Sequence, residues 1–167
     1  MKKHFFLTGL PSIGKTTALL RILQPLNKKT AGFHTEEIRL HTQRVGLTLI
    51  ASDRSAFRVA ACGKNIQDPP YVLDAEMLEC GVRRAFREAD EAAVIYADLV
   101  GTLYCRSPYF VEMLREFLHS HTVIGTIARR GHALVEEIHR RNDCEILEIT
   151  ADNRDSIPTT VLEQINS

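Results

Sequence analysis

Residues 9–16 read Gly-Leu-Pro-Ser-Ile-Gly-Lys-Thr, a complete G-x-x-x-x-G-K-[ST] pattern, the Walker A phosphate loop. The chemistry such a loop performs is anion binding by backbone. Glycines at 9 and 14 let the chain wrap with its N–H groups pointing inward. A helix opening at Lys15 adds the positive end of its dipole. The Lys15 ammonium is expected to reach the β- and γ-phosphates of a nucleoside triphosphate, and the Thr16 hydroxyl to ligate Mg²⁺. Gly9, Leu10, Pro11, Ser12, Ile13, Gly14, Lys15, Thr16 and Thr17 are therefore the expected nucleotide-binding residues, for ATP or GTP with Mg²⁺ as cofactor.

Sites of this kind also need an acid at the end of a neighbouring strand to anchor the metal. Residues 92–98, Ala-Ala-Val-Ile-Tyr-Ala-Asp, supply one in Asp98. Alone, Asp98 would read as a turn cap; beside a phosphate loop it reads as the second metal residue, with Thr16. The next position, where many hydrolytic phosphate-loop enzymes carry a water-orienting Glu, is Leu99, which cannot accept a proton.

Three further groups are candidates by position. Arg129 and Arg130 follow a strand, and the ligand crevice of a wound sheet lies beyond the carboxyl ends of its strands. They are expected to assist catalysis with Lys15 by stabilising charge on the transferring phosphoryl group, a basic surface loop being the alternative. Asn153 and Arg154 follow another strand and are expected to bind nucleotide at the base or ribose. Glu36 and Glu37 point to opposite sides of one strand, so one of them can face the nucleotide; the alternative is two solvated acids.

These residues need elements to position them. A short apolar strand, His4–Thr8, leads into the loop, and a helix runs from Lys15 to Gln24, where Pro25 ends it. Residues 32–40 and 45–51 alternate as strands of an antiparallel hairpin, and residues 57–60 add a third. Residues 63–71 read as a loop, and a helix starts near Asp74. Residues 92–97 form an apolar run suited to a strand buried on both faces. Ser107-Pro108 is a helix start, a hydroxyl cap followed by proline. Strands at 122–127 and 145–149 alternate with helices at 132–140 and 157–165. The pattern predicts an α/β phosphate-loop NTPase fold: a mostly parallel wound sheet flanked by helices, with an antiparallel hairpin insertion near 32–60, the whole of 1–167 forming one domain.

Bulk properties set limits. Lys and Arg balance Asp and Glu at 21 each, and the pI is about 7.1, so no field favours nucleic acid or an anionic membrane. The apolar run after the first lysines is too short for a membrane span. Cys62, Cys80, Cys105 and Cys144 show neither a C-x-x-C pair nor zinc spacing, which fits a reducing, cytoplasmic setting. The seven histidines show no metal spacing.

The chain resembles the small nucleoside-triphosphatases that include the cancer-related nucleoside-triphosphatase of animals and its archaeal and bacterial, nucleotide kinase-like relatives. The likeness rests on residues 4–17, on Gly-Phe-His-Thr-Glu-Glu-Ile-Arg at 32–39 and on Val-Ile-Gly-Thr-Ile at 123–127. Leu-Val-Glu-Glu-Ile-His at 134–139 and Asn-Arg-Asp at 153–155 extend it. It implies slow hydrolysis of nucleoside triphosphates with little base selectivity. Ser12 stands where the family usually has Gly, and Ile127-Ala128 replaces Ile-Pro. The family's D-E-I-G-K-M-E segment is here Asp98-Leu99-Val100-Gly101-Thr102-Leu103-Tyr104, both later acids gone. Binding is expected to be intact and water activation impaired. Slow Mg²⁺-dependent hydrolysis to the diphosphate and phosphate is the first reading. A nucleotide-binding regulatory module without turnover and a kinase-like phosphotransferase are the alternatives.

Overall fold

The computed structural model describes residues 3–62 and 71–166. The apolar runs become one eight-stranded sheet in the order β5-β4-β3-β2-β6-β7-β1-β8. Its strands are β1 (His4–Thr8), β2 (Thr30–Leu40), β3 (Gln43–Ala51), β4 (Ala56–Cys62), β5 (Tyr71–Leu73), β6 (Val94–Val100), β7 (Thr122–Ile127) and β8 (Cys144–Glu148). The helices are α1 (Lys15–Leu23), α2 (Ala75–Ala85), α3 (Pro108–Ser120), α4 (Ala133–Arg140) and α5 (Ile157–Asn166).

Side-chain alternation along the central strands divides the core. Phe5 and Leu7 of β1, with Val94 and Tyr96 of β6, pack against Leu19 and Ile22 of α1 and Val161 of α5. Phe6, Ile95 and Ala97 face the other way, into a larger cluster with Phe86, Phe110, Leu114 and Leu134 under α2, α3 and α4. A period of two along strands buried on both faces thus makes a three-layer arrangement.

The expected hairpin is not set apart from this sheet. Residues 30–33 of β2 pair in parallel with β6, and residues 33–40 of the same strand pair antiparallel with β3. One long strand carries the sheet from its parallel half into its antiparallel half, and β3, β4 and β5 continue it. Most of the expected loop at 63–71 lies outside the described residues, but Tyr71 belongs to β5, opposite Cys62. The strand expected to end at Asp98 runs on to Val100 across an irregularity: Ala97 pairs with Gly125, and Val100 with Ile127. Asp74 and Ser107 cap α2 and α3 as their side-chain chemistry predicts, accepting from Met77 N and Phe110 N. Among the described residues no helix is long and apolar enough to cross a membrane.

His4 is buried in β1. Its Nδ1 accepts from Val123 N at 3.2 Å, so the ring proton sits on Nε2, 3.4 Å from Asp143 Oδ2. Burial pulls its pKa from the ordinary 6.5 to about 4, against the opposing charge of Asp143. The folded state therefore favours the neutral ring. The stability this contributes is complete above pH 6.5 and is lost as pH falls toward 4. Urea unfolding should show stability declining across that window, with a flatter profile in His4→Gln.

Candidate functional site

At the end of β1 the chain turns through Gly9, whose φ is 147°, and enters α1 through Gly14, whose φ is 109°. A Cβ on Gly9 would lie 2.7 Å from the carbonyl oxygen of Ile149, so the loop is seated against the end of β8 and only glycine fits. Gly14 is the N-cap of α1 and offers no side-chain acceptor. The first-turn amides, which have no intrahelical partners, are left for an anion. Ser12, where the family resemblance anticipates Gly, also takes a left-handed backbone, with φ 60°.

Lys15 folds over this cradle. Its Nζ donates to Gly9 O at 3.0 Å and Leu10 O at 2.7 Å. Burial lowers its pKa; the Asp98 charge opposes the shift and Arg129 adds to it. Leu10 itself projects outward and Ile13 packs toward α1 and α5, so these two contribute backbone rather than side chain.

Asp98 is the hub. It is fully buried, and three donors surround its carboxylate. Thr16 Oγ1 donates to Oδ2 at 2.8 Å, the backbone N–H of Thr35 to Oδ2 at 2.9 Å, and Thr126 Oγ1 to Oδ1 at 2.6 Å. Thr126 Oγ1 in turn accepts from the N–H of Leu99 at 2.7 Å. The structure thus brings together two residues 82 positions apart, Thr16 and Asp98, as the sequence anticipates. The set suits a small hard cation: Mg²⁺ takes one or two protein oxygens and completes its shell with phosphate and water.

Leu99 explains the strand irregularity. Its φ is 58°, a conformation that costs a non-glycine residue about 1 kcal/mol, and it turns the side chain to the cleft mouth, 37% exposed. Tyr104 replaces the second missing acid quite differently. It is buried among Phe33 and Phe110, and its hydroxyl meets Thr35 Oγ1 at 2.7 Å. Burial pushes its pKa up, Thr35 opposing and Asp98 adding, so it stays protonated and holds Thr35 in place. Burial likewise raises the Cys105 thiol to about 11, which removes it as a nucleophile.

A cleft of about 680 Å³ opens over the buried Asp98, with Thr16, Thr35 and Thr126 on its wall. Gly9, Pro11, Ser12, Gly14, Lys15, Thr16 and Thr17 form one wall and Leu99 to Leu103 another. Arg129 is exposed and ion-paired with Glu148, close enough to Lys15 to affect its charge. Arg130 is exposed too, and neither arginine lines the cleft wall. Asn153 differs from expectation: its Oδ1 accepts from Thr150 N at 2.7 Å and its Nδ2 donates to Glu148 O at 2.8 Å. Its amide clamps the loop between β8 and α5 instead of facing the cleft. Arg154 is exposed on that loop. Of the two acids on β2, Glu37 reaches the cleft and Glu36 pairs with His34 on the other side. Thr35 and Thr126 lie in the 32–39 and 123–127 segments that carry the family resemblance, but only their placement around Asp98 marks them as site residues.

The model of the NTPase family matches residues 4–162. The nucleoside-triphosphatase THEP1 of Thermotoga maritima is 32% identical, over 93% of this chain and 91% of its own. The human cancer-related nucleoside-triphosphatase is 28% identical over 100% and 98%. The crystal structure of THEP1 from Aquifex aeolicus superposes with a TM-score of 0.86 at 28% identity, covering 98% of this chain and 99% of that one. The solution structure of the human protein gives 0.80 at 26%, covering 98% and 97%.

Thr126 is the clearest test of the hub. Thr126→Val strands one carboxylate oxygen and the Leu99 amide, and should destabilise the fold by about 2 kcal/mol in urea unfolding. Thr126→Ser, which keeps the hydroxyl, should restore most of that loss.

Proposed function

The chain belongs to the nucleoside-triphosphatase family, and from that premise we propose that it hydrolyses nucleoside triphosphates slowly, with Mg²⁺, to the diphosphate and phosphate. The observation that carries the reading is the 2.8 Å bond from Thr16 Oγ1 to Asp98 Oδ2, beside a complete phosphate loop. The α1 amides and Lys15 bind the phosphates, Lys15 leaving the Gly9 and Leu10 carbonyls for phosphate oxygens. Thr16 and Asp98 hold the cation, which when bound neutralises charge on the β- and γ-phosphate oxygens. Arg129, whose charge acts on Lys15, and Arg130 beside it are exposed outside the cleft wall and would add positive charge for the transferring group by reaching in from there. The loop carrying Asn153 and Arg154 adjoins Gly9 through Ile149, which suits it to the ribose or base side. The whole chain acts as one such unit, and its four thiols, none in a disulfide, suit a reducing cytoplasm.

Slowness follows from Leu99. Preorganised charge supplies most of the rate in such sites, but an aliphatic side chain offers attacking water no acceptor for its proton. The same residue favours a second reading, a triphosphate-binding module that reports nucleotide state without turnover.

Phosphate release from MgATP and MgGTP decides between them. Slow release by the parent protein, abolished in Lys15→Ala, is the expected result. Leu99→Glu should then raise the rate by about 100-fold, the lower range for a positioned general base. Tight triphosphate binding with no release by the parent, and release appearing in Leu99→Glu, would establish the binding module instead.

A further inference from the structure

The cleft continues past Asp98 along β2. Strand alternation puts Thr35, Glu37 and Arg39 on its wall. Arg44 and Leu47 of β3 and Tyr71 of β5 complete this end. Arg39 and Arg44 are register partners across the β2–β3 ladder. Like charges directly opposite one another are destabilising unless an anion joins them.

One carboxylate does so in part. Glu37 Oε2 accepts from Arg39 Nε at 3.0 Å and Nη2 at 2.6 Å, while Oε1 pairs with Arg44 Nη2. Arg44 Nη1 also donates to the Tyr71 hydroxyl at 2.9 Å. Among the described residues, two guanidiniums against one carboxylate leave a net positive charge in a concave, partly desolvated place. Thr35 and Arg39 are four residues apart on an extended strand, about 13 Å. Between them Glu37 shares the wall with its register partner Leu47, and Leu99 and Leu103 add apolar surface to the cleft. A charged outer end and a polar inner end about a nanometre apart, in a cleft with apolar wall residues, match a small organic anion.

We propose that the hairpin end of the cleft is a second ligand site, in which Arg39 and Arg44 hold the oxyanion of a small phosphate ester or carboxylate. Guanidinium forks bind both groups bidentately. The other end of that ligand points toward Thr35 and the terminal phosphate of the triphosphate. This orientation rests on the function proposed above; the anion site at the arginine pair does not.

Titration calorimetry tests it on the whole protein, with and without saturating Mg²⁺ and a non-hydrolysable ATP analogue. The probes are ribose 5-phosphate and gluconate, with ribose as the uncharged control. Saturable binding of ribose 5-phosphate or gluconate in the low-millimolar range or tighter is expected, and whichever binds names the oxyanion. Ribose should not bind. Arg44→Gln should weaken the anion at least about tenfold, as loss of one charge-assisted contact implies. Tyr71→Phe provides a milder variant and should weaken it by a smaller factor. Failure of both anions, equal binding of ribose, or unchanged affinity in both variants would overturn the proposal. Failure of the ATP analogue alone would instead overturn the triphosphate reading, the anion titration of the free protein still standing as the test of the arginine pair.

Discussion

A carboxylate with no exposed surface, placed where parallel strands end, must be solvated by the protein itself. Burying an ionised carboxylate without partners costs far more than a domain's net stability. Asp98 receives three hydrogen bonds from three elements: Thr16 at the start of α1, Thr35 in β2 and Thr126 in β7. Each is a short polar side chain or a backbone amide, so the elements around β6 approach the charge closely. The phosphate loop, the sheet's switch strand and the next parallel strand are thereby held to one atom group. Rearranging any of them exposes the cost of the others.

This constraint also accounts for the shape of β6. To aim Asp98 inward the chain must pass Leu99 in a left-handed conformation, and the Thr126 hydroxyl secures the turn by accepting the Leu99 amide. The side chain at 99 consequently stands at the cleft mouth whatever its chemistry. An acid there would meet water; a leucine there makes an apolar shoulder. Position and residue type are separable, and the fold fixes only the first.

The fold was largely legible because its signals were local. The phosphate loop, Pro25, the Ser107-Pro108 cap and the alternating runs each act within a few residues, and each sits where those rules place it. Asp98 was legible because one acid closed an apolar run. Thr35 and Thr126 were not, since their roles depend on strands that meet only through pairing with β6. The sequence likewise could not tell Tyr104, a buried strut beneath Thr35, from a lost catalytic acid. Asn153 shows a related limit: a polar residue after a strand serves equally as a ligand contact or as a clamp for its own loop, and only the structure shows its amide bonded to Thr150 N and Glu148 O.

Thr35 connects the two halves of the cleft. Its backbone amide is committed to Asp98 and its hydroxyl to Tyr104, so β2 is anchored at the metal side before it extends into the hairpin. Alternation then carries the same strand face outward through Glu37 to Arg39. The amide that solvates Asp98 and the arginine pair therefore lie on one strand and its hairpin partner, with a register irregularity between Ile38 and Arg39.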